Sequence, residues 1–372
     1  MVADLSQIVQ SRRLVVKVGS SLLVEGGKPR DAWLESLVQD LTKLRESGVE
    51  IIVVSSGAIA LGAARLGLDK GGRGSLADAQ AAASVGQIGL AGLWSEKLGA
   101  QGLTAAQMLL TLEDLEDRRR YLNASATLAR LLEAGAVPVV NENDSVATDE
   151  IRFGDNDRLA ARVAQAAGAD AVLLLSDVDG LYDRDPREEG AKLIERVDGV
   201  TREVMAMASD GSSSGMGSGG MVSKLQAAQM AGRAGIALAI ISGTREWPID
   251  NALATGRGTL FLPHRSDGAR KAWLGGRVAP KGTLRVDKGC AEALKGGASL
   301  LAAGVVGISG NFQRGDLVSI VAMNGEVLAQ GLAEYDVGDV QAIAGKREGD
   351  QAERLGYAPR SAVVHRDHLV LL

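Results

Sequence analysis

The run LVVKV at residues 14–18 and the Gly-Ser-Ser at residues 19–21 bear most directly on the fold of this chain. Four aliphatic residues in five predict a buried strand of a parallel sheet. A lysine in such a strand, Lys17, is costly to bury unless its ammonium group meets an anion, and the amides and hydroxyls of residues 19–21 suit phosphate oxygens. A side chain that reaches solvent from the strand end would explain Lys17 as well, so this motif alone leaves both interpretations open.

Further aliphatic runs of the same kind recur along the chain, separated by amphipathic stretches. The runs lie at 49–54, 136–140, 171–175 and 236–241, and the predicted helices lie at 33–47, 77–98, 117–134, 157–167 and 221–234. Alternating strands and helices predict an α/β fold with a mainly parallel central sheet, covered by helices on both faces. In such folds ligands bind at the carboxyl ends of the strands.

The pattern changes after about residue 275, where short strand-like runs follow one another. They lie at 282–286, 304–309, 316–322 and 326–332, and Asn324-Gly325 between the last two is a strong hairpin signal. These runs predict a small β-rich C-terminal domain after the α/β domain.

Residue counts exclude several classes of protein. The 372 residues include one cysteine, Cys290, and three histidines, all after residue 263, which excludes disulfide scaffolds, multi-cysteine zinc sites and an early Ser-His-Asp triad. The net charge of -5 argues against an electrostatic nucleic-acid binder. Since no apolar run approaches the roughly 20 residues of a membrane span, and no secretory apolar region precedes Lys17, we expect a cytoplasmic enzyme.

Polar residues cluster where the predicted strands end. Asn141-Glu142-Asn143-Asp144 follows the third strand, and its carboxylate and amide groups suit the ammonium and carboxylate of an amino acid. Ser176-Asp177 follows the fourth strand and suits a nucleoside pocket, although a plain turn at Asp179-Gly180 would also explain this stretch. Ser55-Ser56-Gly57, after the second strand, either brings backbone N–H groups close to a ligand or packs a tight turn.

Two helix starts carry charge. Gly154-Asp155-Asn156-Asp157 holds one acid more than an N-cap needs, and the second carboxylate could position lysines or a hydrated Mg²⁺. The glycine- and serine-rich run 211–220 leads into a helix with Lys224 in its first turn; a flexible linker has the same composition, but we favour a loop that delivers amides and a lysine to phosphates. No Gly-x4-Gly-Lys-Ser/Thr occurs, which excludes a P-loop enzyme, and a lysine stands where a dinucleotide-binding fingerprint would begin.

Lys17 and Lys224 together indicate phosphoryl transfer. Each lies beside a glycine-containing loop, and the absence of histidine and cysteine before residue 264 favours charge neutralisation over acid–base chemistry. A carboxylate acceptor is ionised at neutral pH and needs no general base, so the missing histidine fits a kinase that acts on a carboxylate. A hydroxyl or phosphate acceptor stays open.

Several long stretches, in the same order over essentially the whole chain, carry a family resemblance. The chain resembles the glutamate 5-kinases, a branch of the amino-acid kinase family that carries a C-terminal PUA domain. The matching stretches are VVKVGSSLL (15–23), VSSGAIALG (54–62), PVVNENDSVATDEIRFGDNDRLAA (138–161), LLLSDVDGLYDRDPR (173–187), GSGGMVSKLQAA (217–228) and GISGNFQRGDLVSI (307–320).

The resemblance implies an amino-acid-kinase-like αβα sandwich at 1–270, a linker at 271–280 and a PUA-like domain at 281–372. It implies ATP-dependent, Mg²⁺-requiring phosphorylation of the L-glutamate γ-carboxylate to L-glutamyl 5-phosphate, the first step of proline biosynthesis. L-proline is the expected feedback inhibitor and a homodimer or homotetramer the expected assembly. Glutamate-5-semialdehyde dehydrogenase is the expected recipient of the product.

The resemblance also assigns roles to residues. Lys17 and Lys224 would stabilise the transferring phosphoryl group, and Asp157 would align them. The residues expected to hold glutamate are Ser56, Asp144 and Asn156. The residues expected at the ATP site are Lys17, Ser176, Asp177, Ser218, Gly219, Gly220, Met221, Val222, Ser223 and Lys224. Mg²⁺ would be held by the ATP phosphates with no direct protein ligand, and serine at 218 and 223 replaces the threonine expected of the family.

Two alternatives belong beside this interpretation. Acetylglutamate kinase, aspartokinase, carbamate kinase and uridylate kinase share the architecture, so the assignment of glutamate depends on residues 141–161 and on the PUA-like tail. PUA modules also commonly contact RNA. The balanced charge after Gly276 and the few aromatic residues there give little basis for RNA binding, so we expect a structural or regulatory tail.

Overall fold

The computed structural model describes residues 4–146, 155–209, 220–263 and 280–371. The chain divides into two compact units. The first contains residues up to 116 together with 124–265, and the second contains residues 117–123 together with those from 266 onward. The linker expected at 271–280 lies outside the described residues except for Pro280, so the domain bounds stay a prediction.

The first unit is built on an eight-stranded sheet. Its order is β10-β12-β11-β7-β1-β4-β6-β5, and neighbouring strands run parallel except β11 and β12. Two small hairpins, β2-β3 and β8-β9, lie outside this sheet. The strands are β1 Arg13–Val18, β2 Val24–Glu25, β3 Lys28–Pro29, β4 Glu50–Val54, β5 Ala105–Leu110, β6 Val137–Glu142, β7 Ala171–Ser176, β8 Leu181–Tyr182, β9 Leu193–Ile194, β10 Arg196–Asp198, β11 Ala237–Ser242 and β12 Thr259–Leu262.

Helices follow the strands in the alternation that the sequence predicts. Those before residue 264 are α1 Leu5–Ile8, α2 Ser20–Leu23, α3 Asp31–Glu46, α4 Ala58–Leu66, α5 Leu76–Ala100, α6 Leu112–Glu116, α7 Arg118–Glu133, α8 Asp155–Ala167, α9 Arg202–Ser209, α10 Met221–Arg233 and α11 Pro248–Thr255. Among the described residues, no helix is long and apolar enough to cross a membrane.

Strand β1 shows how the core positions a charged side chain. Val16 and Val18 are fully buried in an apolar cluster that contains Trp33 of α3 and Trp94 of α5. Successive side chains of a strand point to opposite faces of the sheet, so Lys17 points away from this cluster. The alternation of side chains along β1 therefore places Lys17 on the face of the sheet opposite to Val16 and Val18.

The second unit contains a five-stranded sheet of order β14-β13-β15-β16-β17, around a core that includes Leu284, Phe312 and Tyr335. The strands are β13 Gly282–Val286, β14 Val305–Gly310, β15 Leu317–Val321, β16 Val327–Leu332 and β17 Leu369–Leu371, and the helices are α12 Lys288–Lys295, α13 Val337–Ile343 and α14 Glu348–Leu355. Gly325, predicted in a hairpin turn, has φ +86° between the antiparallel β15 and β16.

The predicted fold class is confirmed: a mainly parallel sheet with helices is followed by a separate small β-rich sheet. Elements absent from the sequence-based prediction are found as well. The edge strand β5, the helix α4 and the antiparallel strand β12 belong to the first unit, and β17 closes one edge of the second sheet.

Candidate active site

Residues at the carboxyl ends of the central strands form the candidate site. Lys17 of β1 is paired in register with Val54 of β4 on one side and with Leu174 of β7 on the other. Ser56 and Ser176 follow those two partners by two residues, so they lie at the same edge of the sheet. The parallel order of β7, β1 and β4 therefore brings together three segments that are far apart in the sequence.

A buried carboxylate joins the two lysines singled out in the sequence. Lys17 Nζ lies 2.5 Å from Asp157 Oδ1, and Lys224 Nζ lies 3.3 Å from Asp157 Oδ2. Ser223 Oγ donates a hydrogen bond of 3.0 Å to Asp157 Oδ2. Only 8% of the Lys17 side chain, 11% of the Lys224 side chain and 1% of the Asp157 side chain are exposed. The two ammonium groups thus converge on opposite oxygens of one carboxylate.

Two helix starts deliver these groups. Asp157 lies in the first turn of α8, and Ser223 and Lys224 lie in the first turn of α10, which begins after Gly220. Both helices pack against each other, and α8 also packs on β1. The surplus acid of residues 154–157 is therefore accounted for by the lysines it contacts.

Electrostatics keep Asp157 ionised. Burial by itself would raise the pKa of Asp157, but the positive charges of Lys17 and Lys224 hold that pKa below its ordinary value. Burial lowers the pKa of Lys17, Asp157 opposes this shift, and the like charge of Lys224 adds to it. Two cations with one anion leave a net positive charge in a nearly dry site, which favours an additional anion.

The residues expected to hold glutamate lie partly together. Asn156 Nδ2 donates a hydrogen bond of 2.7 Å to Ser56 Oγ, and Asn156 Oδ1 is a buried acceptor without a hydrogen-bond partner among the described residues. Asp144, which follows β6, is buried, and its carboxylate acts electrostatically on Arg73. A small ligand with an ammonium group would satisfy the acceptor on Asn156.

Ser176 and Asp177, two of the residues expected at the nucleotide site, lie at the same sheet edge. Ser176 ends β7, is buried, and donates a hydrogen bond of 3.0 Å from Oγ to Asp177 Oδ1. Asp177 is exposed, and its charge acts on Lys17. Gly220 directly precedes α10, and Met221 and Val222 are the first two residues of that helix, in the same turn as Lys224. Ser218 and Gly219 lie outside the described residues.

A divalent cation finds few free protein ligands here. Among residues 4–146, 155–209, 220–263 and 280–371, no group of three or more His, Cys, Asp and Glu is arranged to hold a metal ion. Both oxygens of Asp157 face ammonium groups, and Asp177 is an exposed carboxylate whose charge acts on Lys17. This donor set fits a Mg²⁺ that is carried by nucleotide phosphates, because Mg²⁺ retains water and phosphate ligands.

Some contacts of the site are absent from the sequence-based prediction. Arg73, which follows a 3-10 turn at Asp69–Gly72, was not singled out, and no motif marks it. Ser223, which the sequence predicts at the ATP site, also donates a hydrogen bond from its hydroxyl to Asp157. The signal in the sequence is a hydroxyl residue directly before Lys224 in the first turn of a helix. This position lies close to a carboxylate that binds the lysine.

Comparisons with known proteins match both units. A sequence profile of the amino acid kinase family matches residues 12–242, and a profile of the PUA domain matches residues 282–354. A relative named glutamate 5-kinase from Novosphingobium aromaticivorans is 64% identical, over 100% of this chain and 98% of its own length. Relatives of the same name from Sphingopyxis alaskensis and Zymomonas mobilis are 60% and 56% identical, each over 97% of this chain and over 97% and 91% of their own lengths.

Proposed function

The chain belongs to the glutamate 5-kinases of the amino acid kinase family, and we propose that it transfers the γ-phosphoryl group of ATP to the γ-carboxylate of L-glutamate through a pair of lysines. The name and the 64% identity of the relative support the kinase activity and glutamate as substrate. The observation that carries the lysine mechanism is the convergence of Lys17 Nζ and Lys224 Nζ on Asp157.

The reaction balances without a general base. An oxygen of the glutamate γ-carboxylate forms a bond to the γ-phosphorus, the bond from that phosphorus to the bridging oxygen of ATP breaks, and ADP leaves with the electron pair. The carboxylate is already ionised at neutral pH, so no proton is removed. The product is L-glutamyl 5-phosphate, an acyl phosphate.

Lys17 and Lys224 neutralise charge on the phosphoryl group as it moves. Charge develops on its peripheral oxygens and on the leaving ADP in a loose transition state, and preorganised cations in a water-poor site stabilise it. Asp157 holds both ammonium groups in place and opposes the lowering of the Lys17 pKa by burial. When bound with ATP, Mg²⁺ supplies further charge neutralisation at the phosphates.

Glutamate lies beside Ser56, Asn156 and Asp144. Oδ1 of Asn156, which has no hydrogen-bond partner among the described residues, accepts from the substrate ammonium group, and the buried carboxylate of Asp144 adds negative charge for it. Ser56 Oγ, which accepts from Asn156, keeps its own proton to donate to a substrate carboxylate. ATP lies along Ser176 and Asp177, with Ser218, Gly219, Gly220, Met221, Val222 and Ser223 over its phosphates.

The remaining assignments complete the proposal. L-proline is the feedback inhibitor, the active assembly is a homodimer or homotetramer in the cytoplasm, and the product passes to glutamate-5-semialdehyde dehydrogenase. The PUA domain has a structural or regulatory role, with no RNA bound. A gel shift that detects tight tRNA binding at moderate salt would refute this last assignment.

Substrate-dependent ADP release tests the proposal, with glutamate, acetylglutamate, aspartate and UMP compared as acceptors. Hydroxylamine in the same reactions traps an acyl phosphate as a hydroxamate, which separates carboxylate phosphorylation from transfer to a hydroxyl or phosphate. We expect glutamate to give the highest turnover and to produce hydroxamate in step with ADP. Faster turnover of aspartate or UMP, or ADP release without hydroxamate, would contradict the assignment.

A further inference from the structure

Two hydrogen bonds join helix α5 to the ends of β4 and β6, the strands that lead to Ser56 and Asp144. Trp94 Nε1 donates to Ser55 Oγ at 2.9 Å, and Asn141 Nδ2 donates to Gln87 Oε1 at 2.7 Å. Gln87 and Trp94 are seven residues apart, so they lie on one face of α5. Each contact joins the helix to a different strand end.

These strand ends border a cavity. The cavity, of about 190 Å³, lies between α5 and the sheet, lined by residues that include Ser55, Trp94, Gln107 and Asn141. Atoms that line a cavity lack van der Waals partners on that side. Hydrogen bonds therefore contribute to the position of Ser55 together with its packing.

The hydrogen bond of Trp94 affects the position of Ser56 through Ser55. The indole N–H occupies an acceptor position on Ser55 Oγ, and that hydroxyl donates its own proton to the carbonyl of Ser56 at 3.3 Å. The peptide group is planar, so holding the Ser56 carbonyl also fixes the direction of the Gly57 N–H at the start of α4. Trp94 and Ser55 are both fully buried, so their hydrogen bond is shielded from water in this structure.

We propose that Trp94 is a positioning residue for the amino-acid substrate, which acts through Ser55 on the Ser56–Gly57 peptide. The proposal rests on the proposed function, because Ser56 is assigned to glutamate. Trp94 does not touch the substrate. Ser56 contacts glutamate in the ground state and in the transition state alike. Displacement of Ser56 therefore raises KM for glutamate and leaves kcat unchanged.

The variant Trp94→Phe removes the N–H and retains a large aromatic ring. We expect KM for glutamate to rise about three- to tenfold, the range that a net hydrogen bond spans, with kcat and KM for ATP within twofold of the wild type. Ser55→Ala should raise KM for glutamate at least as much, and the double variant should equal Ser55→Ala alone. The shift of melting temperature by glutamate reports the same loss of affinity without turnover.

Trp33→Phe is the matched control. Trp33 is also buried, and its Nε1 donates at 2.7 Å to the carbonyl of Gly243, away from Ser55. This variant should lose stability while KM for glutamate stays unchanged. The proposal is overturned if Trp94→Phe behaves in the same way, or if the effects of Trp94→Phe and Ser55→Ala multiply. A wild type without glutamate-dependent ADP release would instead refute the proposed function, before any variant is compared.

Discussion

Asp157→Asn tests the lysine pair most sharply. The change keeps the shape of a side chain that is 1% exposed but removes the negative charge between Lys17 Nζ at 2.5 Å and Lys224 Nζ at 3.3 Å. Two buried ammonium groups then face a neutral amide. Removing one partner of a buried ion pair costs about 3–5 kcal/mol. That cost falls on the stability of the fold, and if the lysines act on the transferring phosphoryl group, their displacement lowers kcat by about 10²-fold.

The pH profile of this variant adds a second readout. Burial already lowers the pKa of Lys17, and Asp157 opposes that shift, so loss of the carboxylate lowers this pKa further. Because only the protonated lysine stabilises phosphoryl charge, kcat of Asp157→Asn should fall on the alkaline side at a lower pH than kcat of the wild type. Coupled ADP release over a pH series at saturating glutamate and ATP measures both effects.

A second buried carboxylate provides the control. Asp40 of α3 is also 1% exposed, and it accepts hydrogen bonds from the backbone N–H groups of Ile249 and Asp250 at the start of α11. Asp40→Asn should leave kcat within twofold of the wild type. A kcat for Asp157→Asn within threefold of the wild type, in a variant that still melts cooperatively, would refute the role given to this carboxylate.

Three further outcomes follow from the same geometry. Lys224→Ala should lower kcat by at least about 10²-fold with KM for glutamate changed little, because its charge matters most in the transition state; a large KM effect in steady-state kinetics with kcat retained would contradict this. Asp144→Ala should act mainly on KM for glutamate, and an unchanged glutamate saturation curve would mean that the amino-acid pocket is misplaced. Burial, with the charge of Asp250, raises the pKa of Asp40 to about 6. Between about pH 4 and 6 the folded state therefore holds a proton that the unfolded state has released, so the stability of the fold decreases as pH rises. Urea unfolding should show a loss of about 1 kcal/mol from pH 5 to pH 7 in the wild type relative to Asp40→Asn, and equal losses in the two proteins would contradict the raised pKa.

The sequence predicts most of the central sheet because its buried strands are uninterrupted aliphatic runs. The run 171–175 becomes β7 at Ala171–Ser176, and the run 236–241 becomes β11 at Ala237–Ser242. Strand β5, at Ala105–Leu110, is half-exposed at the sheet edge, and its alanines, glutamine, methionine and leucines are typical of helices. Edge strands of this composition carry no pattern that distinguishes them from helix.

Some residues of the candidate site are likewise predictable from the sequence, and others are not. Lys17 and Lys224 stand out in the sequence because a lysine in an apolar strand and a lysine after a glycine-rich run each need an anion. Their common partner Asp157 lies 140 residues from the first and 67 from the second along the chain, and only the fold brings the three together. Trp94 was beyond sequence reasoning, because a tryptophan on an apolar helix is typical of core packing and nothing in the pattern identifies the acceptor of its N–H.

A crystal structure of the wild-type chain with ADP, Mg²⁺, L-glutamate and aluminium fluoride tests the central claim directly, since the fluoride complex imitates a phosphoryl group in transit. Lys17 Nζ and Lys224 Nζ should both lie within hydrogen-bond distance of that one complex, each from its own side, while Asp157 still contacts both nitrogens. A structure in which either ammonium group points away from the complex, with the phosphoryl mimic held by other residues, would contradict the account.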